Sequence, residues 1–123
     1  MEDNVVQLRE RQKQLLSELA EVTVALERTT GTIKGVPHFS VIEEHAHQAG
    51  QELSRRIQEH HAKAIVSQQV SRASCPGCGR SCELRPRRRK VRSIDGVIQM
   101  EELVGYCKGC RRSFFPSAGG NGP

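Results

Sequence analysis

Large aromatic side chains are nearly missing from this sequence. Its 123 residues hold no Trp, one Tyr and three Phe. Such rings dominate core burial, so their scarcity excludes a broad aromatic-lined pocket and a large single core. No apolar run approaches the roughly 20 residues that span a bilayer. The start, MEDNVVQLRERQKQ, is charged and has no apolar signal segment. The chain therefore reads as cytoplasmic, with no membrane partner and no small-molecule substrate. Aspartate is scarce as well: Asp3 and Asp95 are the only two. These two cannot supply the converging carboxylates of a two-metal phosphoryl-transfer site, and the chain is expected to have no catalytic activity of its own.

Charge and cysteine are concentrated at one end. Residues 1–74 carry nine Lys+Arg and ten Asp+Glu, whereas residues 75–123 carry ten and four, a local net of +6. All five cysteines lie in the second part. In an intracellular chain they read as thiols or metal ligands before disulfides. The asymmetry sets a boundary near Ser74 and suggests a polyanionic partner for the second part.

Residues 1–73 read as helical. Val5, Leu8, Leu15, Leu19, Val22 and Leu26 repeat at threes and fours, a heptad-like stripe on a helix of about 24 residues, roughly 36 Å long. The expected span is about 5–28, with Asn4 as N-cap. A second helix is expected over about 41–70, opened by a capping box of Ser40 and Glu43. Its apolar stripe, Ile42, Ala46, Ala49, Leu53 and Ile57, is rich in alanine and predicts a close-packed helical partner. That partner is the first helix, in an antiparallel hairpin, or a second copy of the chain. His45, His47, His60 and His61 read as solvated surface, because no i, i+4 pair is present to chelate a metal.

Residues 74–116 carry the chemistry. Cys75-Pro-Gly-Cys78 and Cys107-Lys-Gly-Cys110 are two Cys-x-x-Cys pairs separated by 28 residues. Each pair can turn both sulfurs to one side, and two such knuckles complete a tetrahedral thiolate site. Cys75, Cys78, Cys107 and Cys110 are therefore expected to hold one structural Zn2+. Cys82 reads as a spare thiol or a residue beside the site. Between the pairs, Asp95-Gly96 signals a type I′ hairpin turn. That turn would place Val91 opposite Met100, Lys90 opposite Glu101 and Arg89 opposite Glu102. Val91, Ile98, Met100, Val104 and Tyr106 would share the apolar face, with Arg88, Lys90 and Arg92 on the other. Arg87, Arg88, Lys90 and Arg92 are the expected contacts to DNA phosphates, with Arg111 and Arg112 behind them. Phe114 and Phe115 read as core beside the metal rather than as stacking platforms. The tail, 117–123, reads as disordered.

These residues resemble a family. The order Cys75-Pro76-Gly77-Cys78, the arginine-rich Arg87–Arg92, Asp95-Gly96-Val97, and Tyr106-Cys107 through Cys110 to Phe114-Phe115-Pro116 is similar to the N-terminal region of bacterial insertion-sequence transposases of the IS-Kra group. The helix EEHAHQAGQELSRRIQEHH also resembles the helix before the ribbon there. The resemblance covers about residues 40–116. It implies a zinc ribbon that holds transposon-end DNA or a neighbouring protein, nucleoid-associated when DNA-bound. The family's catalytic DDE domain has no counterpart in these residues. The chain is accordingly expected to be an accessory region: a truncated or frameshifted product, an isolated domain or a free-standing relative.

The expected class is thus α+β: a two-helix hairpin and candidate coiled coil, followed by a small zinc-ribbon β-hairpin module. DNA is the expected partner, with a homodimer through the first helix. The competing expectation is a zinc-stabilised interaction or oligomerisation adaptor.

Overall fold

The computed structural model describes residues 2–116. It is α+β: two helices followed by a four-stranded antiparallel sheet. The helices are α1, Glu2–Thr30, and α2, Phe39–Gln68; the strands are β1, Arg72–Ser74, β2, Ser81–Ser93, β3, Gly96–Cys107, and β4, Arg112–Phe114. The chain divides into two compact units, Met1–Ala46 and His47–Pro123. The expected disordered tail lies outside the described residues.

In the first unit α1 begins before Asn4, which sits inside the first turn instead of capping it. Glu2 and Asp3 occupy that turn, where negative charge meets the positive end of the helix dipole. Gly31, at φ 78°, turns the chain out of the helix, a conformation glycine adopts without Cβ strain. The freed carbonyls of Arg28 and Glu27 accept Gly31 N–H at 3.3 Å and Ile33 N–H at 3.1 Å. Ile33 is buried, but no residue of α1 is. The expected stripe therefore lies exposed, from 46% at Leu15 to 62% at Val22.

The cap of α2 is not Ser40. The His38 ring Nδ1 accepts the Ser40 N–H at 3.2 Å and lies 2.8 Å from the Ser40 hydroxyl. A histidine outside the usual capping set thus satisfies one of the four orphan N–H groups.

In the second unit α2 docks on the tip of the β2–β3 hairpin by polar contacts. Ser54 Oγ donates to Asp95 Oδ2 at 2.5 Å, and Arg55 Nη1 donates to the Asp95 carbonyl at 2.8 Å. Gln58 Nε2 donates to Ser93 Oγ at 3.2 Å, and the Glu59 carboxylate accepts Gln99 N–H at 2.8 Å. Ile57, on the stripe expected to pack, is exposed, and only Ala62 of α2 is buried.

The hairpin register differs from the expected one by two residues. Ser93 pairs Gly96, Val91 pairs Ile98, Lys90 pairs Gln99, Arg88 pairs Glu101 and Arg87 pairs Glu102. A type I′ turn needs positive φ at both central residues. Asp95 lacks it, and Gly96 alone carries it, at φ 120°. The turn centres on Ile94-Asp95, with Ser93 Oγ donating to Gly96 O at 2.6 Å. A shift of two keeps every side chain on its expected face, because the pleat repeats every two residues.

Burial along the ribbon changes face. Ile98 is buried near the tip, but at the base Leu84, Leu103, Gly105 and Cys107 are buried instead. The base core is Cys75, Cys82 and Cys107, with Cys110 and Phe114 packed against it. Tyr106, expected on the apolar face, is 52% exposed. No described helix is long and apolar enough to cross a membrane.

Candidate metal centre

Each Cys-x-x-Cys pair sits in a tight turn between two strands. The first joins β1 to β2, and the second joins β3 to β4. Both use one local plan. Gly79 N–H donates to Cys75 O at 2.8 Å, and Arg111 N–H donates to Cys107 O at 2.7 Å. Gly77 N–H reaches Cys75 Sγ at 3.3 Å, and Cys110 N–H reaches Cys107 Sγ at 3.5 Å. The backbone thus offers donors to sulfur from inside each knuckle.

The antiparallel sheet brings the two knuckles face to face. The Sγ atoms of Cys75, Cys78, Cys107 and Cys110 all lie within 4.8 Å of one another. Cys75 and Cys110 Sγ are 3.7 Å apart, and Cys78 and Cys107 Sγ are 3.6 Å apart. A disulfide needs about 2.05 Å, so these are not disulfide geometries. A tetrahedral site with metal–sulfur bonds of about 2.3 Å has sulfur–sulfur edges of about 3.8 Å. The four cysteines expected from the sequence are therefore the ones that could hold a metal ion.

The Cys110 backbone N–H is the main cause that draws the Cys107 thiol down to about 6. The backbone N–H groups of Cys78 and Gly77 also lower Cys75. The neighbouring Cys75 sulfur, followed by Cys78 and Cys107, pushes Cys110 up to about 12. Within the cluster, backbone donors thus favour the thiolate at Cys107 and Cys75, while crowding by the other sulfurs disfavours it at Cys110. Cys82 stays outside the set. It is buried against Cys75 and Cys107, its Sγ donates to Arg80 O at 3.4 Å, and burial raises its thiol. It lies beside the site as core.

The knuckles differ at one position. Gly79 has φ 77°, and its counterpart Arg111 has φ 56°. A non-glycine residue there costs roughly 1–2 kcal/mol. Arg111→Gly is expected to retain the metal and raise the thermal midpoint by a few degrees, net of the glycine entropy cost. Thermal unfolding of the metal-loaded protein checks this.

The basic residues separate into two groups. Arg87 and Arg89 both reach Glu102, at 3.2 and 2.6 Å, and Arg88 reaches Glu101 at 3.2 Å. Burial raises Glu102, but the hydrogen bonds and charges of Arg89 and Arg87 outweigh it and hold the carboxyl below its usual range. Arg87 also lies 4.8 Å over the Phe115 ring. Among the described residues, Arg80, Lys90, Arg92, Lys108, Arg111 and Arg112 make no carboxylate pair. Phe114 covers Gly105 and packs on the cysteine core. Four of the candidate phosphate contacts, Lys90, Arg92, Arg111 and Arg112, are thus exposed and uncompensated, while Arg87 and Arg88 are committed to glutamates.

A cavity of about 540 Å³ opens on the other face of the base, lined by Arg72, Arg80, Arg85, Tyr106 and Lys108 among others. Sequence reasoning missed it, because its residues come from three strands and both knuckles. The alternation in β2 and β3 was the only signal, and the expectation of an apolar face around Tyr106 hid it. No protein-family model matches the chain, and no curated protein or solved structure gives a significant match.

Proposed function

We propose that the chain is a zinc ribbon that holds DNA by its phosphate backbone and has no catalytic role of its own. One observation carries the reading: four sulfurs at tetrahedral edge spacing lie within a segment of net charge +6. Zinc suits four thiolates in a closed tetrahedron, which leaves no open position for a reactive water. Counterion release from DNA gives cationic surfaces their affinity. The resemblance of the residue order to the IS-Kra transposases favours a place as the DNA-holding accessory region of such a system, on the nucleoid of a bacterial cytoplasm. The exposed stripe of α1 supports a homodimer through that helix.

Binding of the zinc-loaded protein to a labelled duplex is expected to fall steeply between about 50 and 200 mM salt. Lys90→Ala with Arg92→Ala should reduce the salt slope by about two, since each phosphate left without its cation lowers it by about 0.9. Arg87→Ala and Arg88→Ala should reduce it less, because their charges already face Glu102 and Glu101. Absence of binding at low salt retires the DNA reading. A chain that is dimeric by sedimentation yet does not bind DNA is instead the adaptor.

A further inference from the structure

The open face at the sheet base gathers four cations around the one tyrosine. Leu84, Leu103, Gly105 and Cys107 turn into the core. Their neighbours Glu83, Arg85, Val104 and Tyr106 therefore turn out, since alternate side chains leave opposite faces. Four cations surround that face: Arg72, Arg80, Arg85 and Lys108. Glu83 is the one carboxylate in the lining, 3.9 Å from Arg85 with both side chains well exposed. Such a pair neutralises little. The guanidinium of Arg72 is fixed to the wall by Ser81, through Nε to Oγ at 3.0 Å and Nη2 to the carbonyl at 3.1 Å. Arg80 lies along Gly109, where an added Cβ would meet its Nη1 at 2.9 Å.

In the midst of these charges stands Tyr106, half its surface open to solvent. The groove's volume of about 540 Å³ is in the range of small-ligand clefts. An exposed ring framed by guanidinium and ammonium groups fits a flat, π-faced ligand that carries anionic links. A nucleotide strand has that chemistry, and only an unpaired base can offer its face to the ring.

We propose that this groove binds single-stranded DNA, with a base stacked on Tyr106 and the adjoining phosphates on Arg80, Arg85 and Lys108. The inference rests on the DNA reading above and deepens it: the protein would grip an unpaired stretch or an opened end, not only duplex backbone.

Tyr106 is the sole tyrosine, and there is no tryptophan, so one ring reports on the site. The zinc-loaded full chain is titrated with oligothymidylate of about 12 nucleotides, within the usual span of such grooves, and with a duplex of equal length. Tyrosine emission is expected to be quenched by the single strand and unchanged by the duplex. Tyr106→Ala should weaken single-strand binding about tenfold, Tyr106→Phe should retain it, and duplex affinity should move less than about twofold. Arg85→Ala and Lys108→Ala should each lower the single-strand salt slope by about 0.7. Zinc content and circular dichroism confirm that the variants fold, and the quenching test needs no variant. Single-strand binding that leaves tyrosine emission unchanged overturns the inference. So does a duplex-only binder, and in that case the broader DNA reading stands. If neither probe binds, both readings fall together.

Discussion

Cys107→Ser is expected to abolish metal binding and to unfold residues 75–116, while α1 keeps its helical signal. Cys107 is the one fully buried side chain among the described residues. Its sulfur takes the Cys110 N–H and faces the Cys78 sulfur at 3.6 Å. A serine there removes a ligand from a four-ligand site and leaves the remaining sulfurs crowded without a cation. The apolar core of the ribbon is too small to compensate. Beyond the cysteines, Leu84, Ile98 and Leu103 are its buried side chains. In small zinc modules the metal supplies about 10–16 kcal/mol of apparent binding free energy, and that is folding free energy. Metal content by mass spectrometry and far-UV circular dichroism, with and without a chelator, check the outcome. A native hairpin in the metal-free variant would falsify the account of the centre.

Gly105→Val is the second large effect. A Cβ at Gly105 would stand 2.5 Å from Phe114 Cζ, 2.8 Å from its Cε1 and 3.0 Å from Leu84 Cδ2. Real side chains do not approach so closely; Phe114 packs on the cysteine core, and Leu84 is itself buried. The ring must leave the cysteine cluster, or β4 must separate from β3. Overpacking of this kind costs about 1–3 kcal/mol, enough to shift a small module's urea midpoint well outside error. Phe114→Leu in the same chain should recover part of the loss, because it vacates the volume the new methyl groups need. A double-mutant cycle measures the coupling. Additive losses would show that the two positions do not compete for space.

What could be read beforehand follows how local the controlling forces are. The cysteine set was legible because a Cys-x-x-Cys knuckle is stabilised by its own backbone, as the Gly79 and Arg111 turns show. The α+β order was legible from periodicity changing at the cysteines. The strand register was not. Asp95-Gly96 has the composition of a mirror-image turn, but the Asp95 side chain and carbonyl are held by Ser54 and Arg55 of α2, some 40 positions away. No local rule contains that interaction. The α2 docking surface was illegible for a related reason: Ser54, Arg55, Gln58 and Glu59 are polar, and hydrophobic spacing is blind to them. His38 was missed as a cap because the set of usual capping residues omits it. The two faces of the ribbon were sorted correctly, but their burial was not. Which face is covered depends on Phe114 closing over the base, and that depends on the fold of the second knuckle.

The long β2–β3 ribbon is held at its two ends by unlike means. Four sulfurs gather at the base, while hydroxyl, amide, guanidinium and carboxylate groups hold the tip to α2. Mechanically it is a beam clamped at one support and resting on a hinge at the other. With an ion held by the four sulfurs, the base would open only with loss of that ion. The polar tip exchanges its partners with water at little net free energy. Opening is therefore expected to begin at the Ile94–Gly96 end, where only polar contacts to α2 hold the ribbon.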